Sequence, residues 1–344
     1  MSDAPFVSYA QNREDVMLWR ALRHEQPGFY VDAGAADPDL LSVTRTFYDR
    51  GWRGLDIEPL PEKAAKLRQA RPGDIVIEAA LADQPGRATF YRVQRSEDSG
   101  LSSLDRAVAA RSGGTVDALE VEVTTLAALC REHVRGEVHF LKTDVEGAEA
   151  AVLRGMDFRA VRPWIVLVEA TAPLSGEPTS AAWEPLLAAS GYVHVWFDGL
   201  NRFYVAEERH AALAPHFQVP ANPFDHYVLA AERRLPEAEA LAEARLQQVR
   251  RLETELEALR APPLWAAPPR NPTARLGFRL LRPLLLPLAS RARAFLLAPL
   301  QEDLAAIRAK QAQLEDLLAG PALDLSMGRA IEAALLTVAL ERER

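Results

Sequence analysis

The chain has 344 residues, 49% hydrophobic and 26% charged, with a net charge of −8 and one cysteine, Cys130. That is enough apolar sequence for a sizeable core and, on length, about two domains, while the negative charge excludes a global attraction to nucleic acid. A single cysteine excludes an internal disulfide and a cysteine-rich metal site, and it fits a reducing compartment.

Met1–Pro5 has neither the basic start nor the apolar run of a signal peptide. No stretch reaches the ~18–20 apolar residues of a membrane span; Leu280–Leu300 comes closest, broken by Arg282, Arg291, Arg293 and prolines. The expectation is a cytoplasmic protein, with peripheral contact at the inner membrane face as its membrane option.

A polar loop at Ser8–Asp15 leads into an amphipathic helix carrying Val16, Trp19 and Leu22 at helical spacing. The first core strand, Phe29–Ala33, ends in Asp32-Ala33-Gly34-Ala35-Ala36-Asp37, an acid followed by a turn of small residues. A helix is expected around Leu40–Arg50 and a second strand at Leu55–Glu58. Pro59 and Pro61 then open a helix whose body is Glu62–Ala70, since proline is tolerated in the first turn. Asp74–Ala80 reads as a third, β-branched strand. This β-α-β-α-β order predicts a parallel sheet with helices on its faces.

Arg87–Val93 and Glu120–Thr124 read as further strands, with polar Ser96–Gly114 between them as a mobile loop. Val138–Thr143 is a strand running into Asp144-Val145-Glu146-Gly147-Ala148-Glu149 and a helix to Arg154. Trp164–Ala170 is nearly all apolar, as a central strand should be. A helix at about Ser180–Ser190 precedes Tyr192–Phe197, an Asp198–Asn201 turn and the strand Arg202–Ala206, a hairpin signal that adds an antiparallel member at the end of the sheet.

The α/β domain is therefore placed at 1–232. A heptad-patterned helix follows at 233–262, with Leu235, Ala238, Ala242, Val249, Leu252, Leu256 and Leu259 on its seam and Arg245 intruding. It reads either as a homo-oligomer contact through 235–260 or as a helix folding back on its own domain. Residues 263–300 form a proline-, arginine- and leucine-rich linker and amphipathic segment, and 301–344 a helical tail. Between Arg270 and Leu300 stand six arginines and no acid. Such a segment offers peripheral membrane contact through 270–300 or packs against a partner.

Chemistry concentrates at the strand ends. In an open α/β sheet, ligands sit outside the carboxyl ends of the strands. Gly34 lets a ligand approach bare backbone, and Glu58 can accept both hydroxyls of a ribose. S-adenosylmethionine and NAD both carry that ribose. Asp37 and Asp39 stand where a pyrophosphate would lie, and like charge disfavours NAD while remaining compatible with a sulfonium. Asp144, Glu146 and Glu149 cluster where a strand meets a helix. They can supply a general base for a hydroxyl, hold a divalent cation, or cap the helix; no metal site is assigned. Glu169 ends an apolar strand as a candidate substrate contact. Asn12, Asp198 and Asn201 lie in polar segments that topology can bring over the strand ends, on the acceptor side. His139 reads as a packed residue, and His24, His133 and His210 lack metal-ligand spacing.

Five stretches in order resemble the FkbM family of methyltransferases: Ser8–Asp15, Tyr30–Ala35, Ser42–Tyr48, Gly51–Pro59 and Leu141–Glu149. The resemblance covers about Ser8 to Ala230. It implies a class I Rossmann-like methyltransferase sheet, mostly parallel with its last strand antiparallel, and O-methylation from S-adenosylmethionine, often of sugar hydroxyls in glycans or natural products. By resemblance, Asp32, Gly34 and Ala35 border the methionine end of the cofactor, Glu58 binds its ribose, and Ala80 and Asp83 lie near its adenine. Asp144 and Glu146 face methyl transfer by in-line displacement, with Asp144 taking the proton. Asp56 departs from the amide or small residue expected before the ribose-binding acid, a change expected to act on hydration. Two rivals remain: a catalytically inactive domain recruiting partners through its tail, and a dinucleotide-dependent oxidoreductase.

Overall fold

The computed structural model describes residues 5–25, 27–94, 102–111, 114–172 and 175–233, with Gln247, Arg250, Arg251 and Thr254. The chain divides into Met1–Ala230 and Ala231–Arg344. In the second unit those four residues are helical. The remainder of the heptad segment, the arginine–leucine stretch and the tail lie outside the described residues.

The first unit runs β1 (Phe6–Ser8), α1 (Glu14–Leu22), β2 (Phe29–Ala33), α2 (Arg45–Asp49), β3 (Arg53–Ile57), α3 (Pro61–Ala70), β4 (Ile75–Ile77), β5 (Ala80–Leu81), β6 (Gly86–Gln94) and α4 (Arg106–Arg111). It continues through β7 (Thr115–Thr124), α5 (Leu126–His133), β8 (Phe140–Thr143), α6 (Glu149–Arg154), β9 (Ile165–Glu169), α7 (Glu184–Ala189), β10 (Tyr192–Phe197), β11 (Asn201–Ala206), α8 (His210–Leu213) and β12 (Tyr227–Leu229).

Seven strands form a mostly parallel central sheet in the order β10-β11-β9-β8-β2-β3-β4. Only β11 opposes its neighbours. It lies one position in from the edge, with β10 outside it. Chain order reverses between β2 and β8, which makes their carboxyl ends the switch point where ligands bind in such sheets. The central strands are apolar on both faces because both are covered. Val31, Leu141, Val166 and Val168 pack towards Leu126, Leu129, Val152 and Leu187. On the other face, Tyr30, Phe140, Ile165 and Leu167 meet Met17, Leu18, Phe47 and Trp52. Each such side chain contributes about 1.5–3 kcal/mol on burial.

Three expectations need correction, and one helix was not expected. The strand at Asp74–Ala80 is two strands. Ile75–Ile77 pairs with β3, and Ala80–Leu81 leaves to pair with β7 in a separate β5-β7-β6 sheet, where Ala80 buries against Leu60, Phe90 and Val121. The helix at Leu40–Arg50 shrinks to Arg45–Asp49, because Asp37 Oδ1 accepts the Asp39 and Leu40 N–H groups in a turn and Leu41 takes a left-handed φ of 55°. The segment Ser96–Gly114 contains α4 among its described residues, started by Asp105 Oδ1 accepting the Ala107 N–H. Helix α5 lay unread behind its cap, Thr125 Oγ1 accepting the Ala128 N–H at 3.2 Å. No helix among the described residues is long and apolar enough to cross a membrane.

Candidate cofactor and catalytic site

The turn after β2 is held by backbone. The N–H groups of Gly34 and Ala35 both donate to the Ile57 carbonyl, at 3.0 and 3.1 Å, which docks the turn on β3. Ala36, at a left-handed φ of 52°, donates its N–H to Glu58 Oε2 at 2.9 Å, while Glu58 Oε1 accepts the Leu60 N–H at 2.9 Å. Glu58 thus braces the ends of two loops and still has acceptor lone pairs. Burial raises its pKa, opposed by Lys63 and by those backbone bonds.

A crevice opens at these strand ends. Gly34, Ala36, Glu58, Lys63, Asp144 and Glu146 supply its polar rim, and Ile57, Leu60, Ala80, Leu81, Phe90 and Leu104 an apolar wall. Phe90 and Leu104 come from the β6–β7 excursion, which Ser103 fastens to the acidic turn by donating its hydroxyl to the Glu146 carbonyl at 2.7 Å.

The acids after β8 divide by role. Glu149 folds back, its Oε1 accepting the Val145 and Gly147 N–H groups at 3.2 and 3.0 Å; it caps its own loop. Asp144, Glu146 and Glu169 each place a carboxylate oxygen within 4.8 Å of the others, a spacing that one divalent cation would span. Glu146 Oε2 and Glu169 Oε2 are buried without a hydrogen-bond partner. Burial, then repulsion from Asp144 and Glu149, pushes Glu146 up to about 9. Burial, then Asp144, Glu146 and Glu149, pushes Glu169 up to about 11. Both therefore hold a proton at neutral pH. The Asp144 side chain is 38% exposed at the crevice and lies 3.4 Å from Lys142 Nζ. Burial lowers the lysine's pKa, but Asp32 and Asp144 outweigh it and raise Lys142 above its ordinary value.

The sequence-derived candidates separate into three groups. Gly34, Glu58, Ala80, Asp144 and Glu146 line one crevice. Asp32 lies behind it, 1% exposed, accepting the Thr44 hydroxyl at 2.8 Å and paired with Lys142 at 3.2 Å. Ala35 is buried beside it. Asp83 is directed elsewhere, 3.2 Å from Arg154.

The third group joins the loop before α1 to the β10–β11 turn. Asn12 Nδ2 donates to Asp198 Oδ1 at 3.4 Å. Asn201 Nδ2 donates to Glu14 Oε1 at 2.8 Å and to Asp198 Oδ2 at 3.2 Å, and Glu14 Oε2 accepts the Asn12 N–H at 2.7 Å. Asn201 is the sheet partner of Glu169, so this clamp stands beside the acidic group. Asp56 has no part in the crevice. It is fully buried, 3.7 Å from Arg71, and acts on the interior rather than on site hydration. His139 is a packed residue, as expected: its Nδ1 accepts the Phe29 N–H, and its ring lies between Trp52 and Trp164.

Sequence reasoning missed Lys142, Lys63 and Glu14. A lysine inside a four-residue strand that is otherwise apolar apart from its terminal threonine was the available signal for Lys142, because a buried charge must be paired.

Residues 32–193 match the family model for the Methyltransferase FkbM domain. No curated protein matches the chain. The family match supports a methyltransferase.

Proposed function

We propose that this FkbM-type methyltransferase domain uses S-adenosylmethionine to methylate a hydroxyl, of a sugar in a glycan or natural product. The observation that carries the reading is the single crevice joining Glu58, an apolar wall, and the Asp144–Glu146 turn at the sheet's switch point. The residues fit the cofactor: the Asp144 carboxylate faces the crevice as the acidic group suited to a cation, and beside it Glu146 Oε2 and Glu169 Oε2 are polar oxygens still without a hydrogen-bond partner. The strand order, with the antiparallel β11 inserted between β9 and β10, supports a class I methyltransferase sheet.

S-adenosylmethionine bound there supplies an electrophilic methyl group on a cationic sulfur. Glu58 offers its remaining lone pairs to the ribose hydroxyls. Leu81, Phe90 and Leu104 take the flat base and exclude water from it. The acceptor enters from the side of Glu169 and the Asn12–Asn201 clamp. Asp144 takes the hydroxyl proton on a carboxylate oxygen, because Glu146 and Glu169 already hold theirs. Most of the rate comes from holding the reactants in register.

A dinucleotide is disfavoured by two features. The next helix does not begin until Arg45, so no helix N-terminus stands at the Gly34 turn to receive a pyrophosphate. Asp37 and Asp39 remain there as like charges, engaged by Lys66 and Arg45.

Calorimetric titration of wild type and Glu58→Ala with S-adenosylmethionine and, separately, NAD tests the cofactor. Wild type should bind S-adenosylmethionine alone, at least ~10-fold more tightly than the variant. Transfer of labelled methyl to a panel of sugars, with and without magnesium, tests the reaction. Asp144→Asn should retain binding and lose ~100-fold or more in kcat. Binding of NAD, or of neither ligand, overturns the reading.

A further inference from the structure

One cation stands within the strand that leads to the acidic turn. Lys142 is the third residue of β8, buried with Phe140, Leu141 and Thr143. Its ammonium reaches three segments at once. It donates to the Gly34 carbonyl at 2.8 Å and lies 3.2 Å from Asp32 Oδ1 and 3.4 Å from Asp144 Oδ2. The Gly34 contact is a hydrogen bond and the two carboxylate contacts are ion pairs, so the one ammonium, which donates and cannot accept, faces three acceptors. Lys142 does not line the crevice.

The three arms are unequal in meaning. Asp32, 1% exposed, suffices to neutralise a buried lysine, and it has a second donor in Thr44. The arm to Asp144 is different, because that side chain is 38% exposed and faces the crevice. A packing role does not require a buried cation to reach out to a crevice carboxylate. The arm to Gly34 ties the same ammonium to the turn on which the cofactor would rest. We infer that Lys142 is a positioning residue for methyl transfer, fixing the Asp144 carboxylate against the Gly34 turn so that base and cofactor cradle keep one geometry. This rests on the proposed function, with Asp144 as the base.

The test is a kinetic double-mutant cycle of Lys142→Met and Asp144→Asn in the full-length chain, with S-adenosylmethionine binding and melting temperature measured on each variant. Lys142→Met should lower kcat by ~10–100-fold, as expected for a misplaced group, with the acceptor KM little changed. In the Asp144→Asn background the same change should add less than ~3-fold, because residues acting as a unit are not additive. Losses that multiply in full would make Lys142 a stabilising residue only and overturn the inference.

Should Lys142→Met fail to fold, Lys142→Arg carries the test. A planar guanidinium keeps the charge but not the three-way geometry, so binding should survive and kcat fall. An arginine variant within ~2-fold of wild-type kcat overturns the inference. The outcomes also separate the two claims. A wild type that neither binds S-adenosylmethionine nor transfers methyl removes the proposed function and this inference with it. An active wild type with multiplying losses removes this inference alone.

Discussion

Gly34 and Asp144 meet so closely that a Cβ added to Gly34 would stand 1.9 Å from the Asp144 carbonyl oxygen. The turn after β2 is thus pressed against the end of β8, and Gly34 takes a φ of +84° that side chains resist. Gly34→Ala therefore carries both backbone strain, about 1–2 kcal/mol, and a clash with main chain that cannot rotate away. Gly199 in the β10–β11 turn is the control, with φ +99° and nothing within 4 Å of its would-be Cβ. Chemical denaturation should show Gly34→Ala less stable than Gly199→Ala by at least ~1 kcal/mol, and calorimetry should show loss of cofactor binding in the first alone. Equal losses would mean that the two segments separate easily and that the Gly34–Asp144 contact does not form a tight crevice wall.

Beneath the crevice, Arg71 and Asp56 form a fully buried pair that is not symmetric. Arg71 donates to Thr44 Oγ1, Ser42 Oγ and the Pro38 carbonyl at 2.7, 2.6 and 2.5 Å, so it holds the loop between β2 and α2. Burial drives the Asp56 carboxyl well above the ordinary range, against the pull of Arg71. Arg71→Met leaves the Thr44, Ser42 and Pro38 oxygens without that donor and should cost about 3–5 kcal/mol, at about 1–3 kcal/mol per buried group left unsatisfied. Asp56→Asn keeps the side chain's shape and a carbonyl oxygen beside Arg71 and should cost under ~2 kcal/mol. Denaturant melts of the two variants settle the order; a larger loss from Asp56→Asn would refute it.

What could be read from sequence follows from how local the cause is. β9 announced itself as an apolar run up to its terminal Glu169, as a strand buried on both faces should, and β2 and β8 as mostly apolar runs carrying Asp32 and Lys142 near their carboxyl ends. Glu58, Asp144 and Gly34 stood out because an acid or glycine at a strand's carboxyl end has few structural reasons to be there. The split of Ile75–Ile77 from Ala80–Leu81 was hidden because only Glu78 interrupts the apolar run from Ile75 to Leu81, and its cause is burial against Phe90 and Val121. Pairing of Phe6–Ser8 with Tyr227–Leu229 leaves no local pattern in strands of three residues. The same holds for the site. Lys142 earns its place through Gly34, 108 residues away, and Glu14 through Asn201, 187 residues away. The Thr125 cap, by contrast, was local and simply unread.

The Glu14–Asn201 clamp makes stability depend on pH in a definite direction. Glu14 is 4% exposed. Burial first, then repulsion from Asp198, pushes its carboxyl from an ordinary 4.5 up to about 8, partly opposed by backbone hydrogen bonds. Between those two values the folded chain keeps a proton that the unfolded chain has released. Stability from this group is therefore full below pH 4.5 and is lost as pH rises through about 8, with a slope of at most ~1.4 kcal/mol per pH unit. Glu14→Gln preserves an acceptor for the Asn201 amide or the Asn12 N–H and removes the titration. Urea denaturation from pH 5 to 8 should show the variant gaining on wild type steadily as pH rises. The gain belongs to the difference between the two curves, since Asp15, pushed by burial to about 6, titrates in both. Parallel curves across that window would mean that Glu14 is ionised in the folded chain and that the clamp is held as an ion rather than a neutral acid.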